Sequence, residues 1–205
     1  MATTSKQQII VERATISDIP HLVALLNEAL NSDGAIVPHD ASGNKYSGAA
    51  FQALIQAEEE SATLYVVRDE HDTPISMGTV YRIEADQDAT SVWWNWGVAL
   101  EPGVDPAVLD TVFGGWARRQ NLLMNPNPRL FVEALATRTD WQAKGCASAI
   151  LAKAAEDADN LGYSVYLDTE KVAFYAKRGY TVVTDVSGVE AMDTPMLRAK
   201  KSERA

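Results

Sequence analysis

The stretch from Arg129 to Gly162 constrains the fold of this chain more than any other. Arg129–Thr137 reads RLFVEALAT and predicts a strong strand. After a short loop, Ala147, Ile150, Leu151, Ala154, Ala158 and Leu161 recur at helical spacing. They predict a helix from about Gly145 to Leu161 with one apolar stripe. Gly162 is placed to stop it, because glycine adopts the left-handed conformation of a helix C-terminus without steric cost. A helix with one apolar stripe needs a surface to cover, and the neighbouring strands supply one. The chain is therefore expected to be α/β (α+β) with a central sheet.

The remaining segments fit that class. Ile9–Ala14 reads as a short strand, and Thr15–Asp18 offers N-cap chemistry for a helix carrying Ile19, Leu22, Val23, Leu26, Ala29 and Leu30. Asn31–Ser47 is rich in Gly, Asp, Ser and Asn and reads as a loop. Ala49–Glu60 reads as a helix, and Thr63–Arg68, Ile75–Ile83 and Ser91–Leu100 as strands, with a turn at His71–Pro74. Gly103–Arg119 reads as a helix, broken by Asn125–Pro128. Tyr163–Leu167 is a strand, Lys171–Lys177 a short helix, and Tyr180–Thr184 and Glu190–Arg198 closing strands. The expected order is β-α-α-β-β-β-α-β-α-β-α-β-β, with residues 1–205 forming a single domain.

Composition excludes several function classes. The formal charge is −10 and no basic face for nucleic acid is visible in the sequence, so no nucleic-acid partner is expected. That acidity suits a cationic amine as partner and equally suits plain solubility. Cys146 is the one cysteine, which rules out an intramolecular disulfide, and the three histidines show no zinc spacing. The N-terminus is polar, and no apolar run approaches the roughly 20 residues that span a bilayer. A cytoplasmic protein without membrane contact or metal is expected.

The segment Gln142-Ala143-Lys144-Gly145-Cys146-Ala147, followed by Ser148, opens the helix after the strong strand. A helix N-terminus presents free N–H groups and a partial positive charge. Small residues at 143, 145, 146 and 147 let a large anion approach those groups, as a phosphate cradle requires. Lys144 adds a point charge and Gln142 a side-chain amide donor. It is neither a G-x-G-x-x-G nor a Gly-Lys-Ser/Thr loop. By spacing alone, an ordinary glycine-capped strand–loop–helix connection fits as well.

Together with its surroundings, the segment LFVEALATRTDWQAKGCASAIL resembles motif A of the GNAT superfamily of N-acetyltransferases. There a loop of the form Gln/Arg-x-x-Gly-x-Gly/Ala opens the coenzyme-binding helix. VYLDTEKVAFYAKRGYTVV resembles the next strand, short helix and returning strand, with Tyr175 ahead of Gly179-Tyr180. IIVERATISDIPHLVALLNEAL resembles the first strand and helix, and TPMLRAK the closing strand of small fungal members. Leu30–Asn125 matches only in the order of elements. Gln142 and Ala147 stand where Arg and Gly are commoner, and the turn Asp168-Thr169-Glu170 is acidic where many members carry Asn or Ser.

The resemblance implies a mixed, mostly antiparallel twisted sheet with helices on both faces. It also implies acetyl-CoA as co-substrate, held by Gln142, Ala143, Lys144, Gly145, Cys146, Ala147 and Ser148. Leu135, Ala136 and Thr137 would pair with the pantetheine and polarise the carbonyl, on a strand that carries a bulge and splays from its neighbour. Tyr175 would protonate the departing thiolate. Its alternative is a core aromatic beside Phe174. Glu133, two residues before Leu135, would share its face of the strand and could act as base; a merely solvated carboxylate is the alternative. His39 is another candidate base, and ordered water could replace both. Trp93, Trp94 and Trp96 pack a sheet, wall an acceptor pocket with Asn95 or Tyr46, or line a homodimer interface. Cys146 sits where a helix N-terminus could depress its pKa. The function expected is transfer of an acetyl group to a small-molecule amine by direct attack in a ternary complex. A non-catalytic acyl-CoA binder and a protein N-acetyltransferase are the alternatives.

Overall fold

The computed structural model describes residues 9–32, 41–56, 61–89, 114–184 and 193–204. Among the described residues seven strands form one sheet in the order β1-β2-β3-β4-β5-β7-β6. They are β1 (Glu12–Arg13), β2 (Ala62–Arg68), β3 (Pro74–Ile83), β4 (Arg129–Thr137), β5 (Ser164–Thr169), β6 (Thr181–Val182) and β7 (Thr194–Arg198). Of these seven strands only β4 and β5 pair in parallel; the other pairings among them are antiparallel. Among the described residues five helices flank the sheet. They are α1 (Ile19–Ser32), α2 (Ala41–Gln56), α3 (Gly115–Met124), α4 (Cys146–Leu161) and α5 (Val172–Ala176).

The strong strand has the predicted bounds, and α4 is the crossover between the two parallel strands. Gly162 ends α4 at φ 74°, and the Tyr163 N–H returns to the Ala158 carbonyl at 2.8 Å. The N-cap expected near residue 15 is also present. The Asp18 carboxylate accepts from the Thr15 N–H at 2.6 Å and from its hydroxyl at 2.9 Å. Arg68 holds the same carboxylate at 2.7 and 2.8 Å, fixing the start of α1 to the end of β2.

Several expectations are corrected. The loop expected over Asn31–Ser47 ends early, because α2 begins at Ala41. Its later turns bury Ala50, Phe51 and Leu54, so tertiary packing overrides the weak helix propensity of the Gly- and Ser-rich start. The first strand is cut to Glu12–Arg13 and the returning strand to Thr181–Val182. Asp168 and Thr169 belong to β5, not to a turn. The Trp93–Trp96 segment and His39 lie outside the described residues, as does most of the helix expected from Gly103.

Two apolar cores lie on opposite faces of the sheet. One gathers Leu22, Leu25, Phe51, Leu54, Ala117 and Met124 of α1, α2 and α3 against Met77, Tyr81, Phe131, Ala136 and Tyr166. The other gathers Cys146, Ile150, Leu151, Ala154 and Ala158 of α4, and Tyr180, against Val80, Leu130, Val132 and Leu167. Among the described residues no helix is long and apolar enough to cross a membrane.

Candidate active site

Strands β3 and β4 change register between Thr79 and Val80, which pair with Ala134 and Val132. Glu133 is the residue left over, and so forms a β-bulge. The bulge reverses the alternation beyond it. Glu133 accepts a hydrogen bond from the Thr79 hydroxyl at 3.0 Å, and the Tyr81 hydroxyl acts on it in the same sense. It thus faces the α1, α2 and α3 side, where Tyr81 is buried. Leu135 instead packs against the α4 core. The expectation that Glu133 and Leu135 share a face is therefore wrong, and the inserted residue is the reason. Thr79 Oγ1 also accepts from the Ala134 N–H at 2.9 Å, pinning the bulge from both sides.

The same strand parts from β5. Parallel pairing covers Arg129 to Phe131 against Ser164 to Tyr166, whereas β4 continues to Thr137 and β5 to Thr169. From Val132 onward β4 is paired with β3 alone among the described residues. Strands β4 and β5 are not hydrogen-bonded to each other there, and the gap between them is edged by backbone groups of β4. Ser76 anchors its far end, donating to the Ala136 carbonyl at 3.0 Å and bonding the Thr137 hydroxyl at 2.8 Å.

The loop after β4 runs through a 3-10 turn, Thr139–Trp141, into Gln142–Gly145. Ala143 and Gly145 both have positive φ, 59° and 98°. Such turns point successive N–H groups to one side, a concavity suited to anions. Among the described residues no side chain caps α4, so its first-turn N–H groups remain available for such a ligand. Gln142 turns its amide back to the Thr137 carbonyl at 3.4 Å, and Lys144 lies 4.4 Å above the Trp141 ring. Ser148 is held by Arg178, whose Nε is 3.0 Å from its hydroxyl. Cys146 is a core residue, and burial pushes its thiol up, opposite to the depression a helix N-terminus would give.

Tyr175 is half-buried on α5, with ring centroids 5.0 Å from Phe174 and 5.8 Å from Tyr180 in edge contacts. It packs against the α4 core. Burial raises the phenol, while a hydrogen bond with Thr169 and the Arg178 charge act against that rise. It stays protonated at neutral pH. Burial likewise pushes the Glu133 carboxyl up to about 7, with Thr79 and Tyr81 opposing.

Local sequence reading missed the roles of Thr79, Tyr81, Arg119 and Arg178. Arg119 is buried and donates to Asp168 Oδ1 at 2.5 Å and to the Asp193 carbonyl at 2.7 Å. The one available signal was Asp168 itself, an acidic residue at a position marked as unusual.

Residues 110–180 match the acetyltransferase (GNAT) family. Among proteins of curated function, none matches the sequence. Solved structures of similar fold include mosquito arylalkylamine N-acetyltransferase-like 5b, 11% identical with a TM-score of 0.65, covering 93% of this chain and 99% of that one. The PaiA N-acetyltransferase of Thermoplasma acidophilum, in complex with coenzyme A, is 11% identical with a TM-score of 0.57, covering 94% and 99%. A predicted acetyltransferase of Clostridium acetobutylicum with acetyl-CoA is 14% identical with a TM-score of 0.57, covering 90% and 96%.

Proposed function

We propose that the chain is a GNAT-type, acetyl-coenzyme A-dependent N-acetyltransferase acting on the amine of a small molecule, a reading supported by the family match over residues 110–180 and by the shared fold. The observation that carries this reading is the bulge at Glu133 beside the β4/β5 gap. It puts an ionisable carboxyl on one side of β4, while Leu135 and Tyr175 remain on the α4 side.

The residues present fit the coenzyme. The uncapped start of α4 and the left-handed Ala143 and Gly145 suit its diphosphate. The unpaired edge of β4 suits its amide-bearing arm. Acetyl-CoA would supply an activated acyl group. Backbone N–H groups of Leu135 to Thr137 would bind the thioester oxygen as negative charge develops on it.

Glu133 accepts a proton from the entering ammonium, leaving a neutral amine. The amine nitrogen attacks the carbonyl carbon; the C–N bond forms and the C–S bond breaks. Tyr175 gives its proton to the departing sulfur, and the proton shed by the new amide nitrogen replaces it through solvent. Glu133 returns its own proton to solvent, so one proton is released per turnover. A carboxyl with a pKa near 7 is suited to this exchange at neutral pH. The net charge of −10 favours a cationic acceptor.

An acceptor screen with acetyl-CoA, following thiol release, tests the proposal. It should span amines, amino acids, polyamines and aminoglycosides. Acetylation of at least one of them supports the reading, and thiol release with none refutes it.

A further inference from the structure

The last residues paired across the parallel strands are Phe131 and Tyr166. Two residues further along each strand stands a carboxyl, Glu133 on β4 and Asp168 on β5. Both face the α1, α2 and α3 side. Glu133 is held there by Thr79, and Asp168 by the Tyr166 hydroxyl, 2.9 Å from its Oδ1. The gap between the strands thus has one carboxyl on each lip, on the face opposite the helix assigned to the coenzyme.

The two are not equivalent. Asp168 Oδ1 is fully engaged by Arg119 and Tyr166, and the Asp168 side chain is only 7% exposed. Its other oxygen, Oδ2, is buried with no hydrogen-bond partner among the described residues. A buried carboxylate oxygen left unpaired is costly, so native proteins normally satisfy it. Arg119 neutralises the charge without filling this last acceptor position. What Oδ2 lacks is a donor, and a primary amine or ammonium entering the gap brings up to three.

We propose that Asp168 is an acceptor-binding residue, its Oδ2 receiving an N–H of a primary amine whose nitrogen lies between it and Glu133. This rests on the acyltransfer reading above and deepens it, because it favours primary amines. A primary ammonium can give one proton to Glu133 and still hold an N–H to Asp168 while its lone pair attacks. A tertiary amine has no N–H to give once it is neutral, and a secondary amine holds its one N–H to Asp168 during attack but loses it as the amide forms, whereas a primary amine keeps one throughout.

The test is Asp168→Asn, with acceptor and acetyl-CoA KM measured separately on the best primary amine from the screen. Calorimetry with 2-phenylethylamine on coenzyme A-loaded protein runs alongside. Asp168→Asn leaves Arg119 without its counter-charge in the core, so Asp168→Asn/Arg119→Met, which buries no unpaired charge, is measured beside it. The expected result is a rise of about ten- to a hundredfold in acceptor KM in each folded variant, with acetyl-CoA KM unchanged. Amine binding weakens equally. A folded variant that keeps the wild-type acceptor KM and amine affinity overturns the proposal. So does a parallel rise in both KM values, which marks a purely structural ion pair. If the wild type binds the amine through Asp168 yet turns none over, the acyltransfer reading fails and this one stands. A wild type that binds neither 2-phenylethylamine nor any primary amine of the screen, and acetylates none, overturns both.

Discussion

Gly78 and Ile150 stand so close that a Cβ built at residue 78 would lie 2.6 Å from Ile150 Cγ2. Gly78 sits on β3 opposite Leu135, and Ile150 on the second turn of α4. The absence of a side chain there lets α4 settle onto the sheet just below the loop assigned to the coenzyme.

Gly78→Ala should therefore destabilise the protein. Alanine would gain about 0.5–1 kcal/mol of chain entropy in a strand. Overpacking a filled core costs about 1–3 kcal/mol, and with a contact this short the clash wins. Thermal unfolding checks this as a lowered midpoint. Displacement of α4 should also weaken coenzyme A binding in calorimetry.

Glu133 gives a pH signature. Its carboxyl is raised by burial from 4.5 to about 7, so between those values the folded state holds the proton that the unfolded state has lost. The cost to stability grows as pH rises through that window and is complete above about 7. Glu133→Gln should be more stable than the wild type at pH 8, by up to about 3 kcal/mol, and no different below pH 4. Its kcat/KM should fall about a hundredfold and lose the rise through pH 7. Urea unfolding and pH–rate profiles read the two effects.

Tyr175 is set apart from Glu133 by side and by role. Tyr175→Phe keeps the ring contacts with Phe174 and Tyr180 but removes the proton. Turnover should drop about a hundredfold while coenzyme A affinity holds. Steady-state kinetics beside calorimetry will show the split; unchanged turnover would remove Tyr175 from the reaction.

How much of this was legible in the sequence depends on the element. β4 and α4 were read almost to the residue, because a nine-residue strand and a striped helix with a glycine stop repeat one signal many times. The bulge was not read from the residues. A period-two pattern with one residue inserted looks unbroken when side chains on both sides of the strand are apolar, and its location at Glu133 emerges only from pairing with Thr79. The Arg119–Asp168 pair joins residues 49 apart in sequence, so no local pattern could reveal it. The start of α2 was missed because its Gly- and Ser-rich residues have weak helix propensity, while the buried Ala50, Phe51 and Leu54 lie in its later turns.

Gly145 has φ 98°, outside the range that side chains accept, and an added Cβ would also lie 3.2 Å from Ile9 Cδ1. Gly145→Ala should cost about 1–2 kcal/mol of stability. If the loop relaxes, the N–H groups at the start of α4 turn away, and coenzyme A affinity should weaken about tenfold, some 1.4 kcal/mol. Calorimetry separates this loss from the change in unfolding midpoint.

The central claim is that the loop Gln142–Ala147 and the open edge of β4 together hold acetyl-coenzyme A. Calorimetric titration of the protein with acetyl-CoA, ATP and NAD in turn tests it most directly. Acetyl-CoA should bind saturably at one site per chain, and neither ATP nor NAD with comparable strength. Binding of ATP or NAD as tight as that of acetyl-CoA, or no binding of acetyl-CoA, would contradict it.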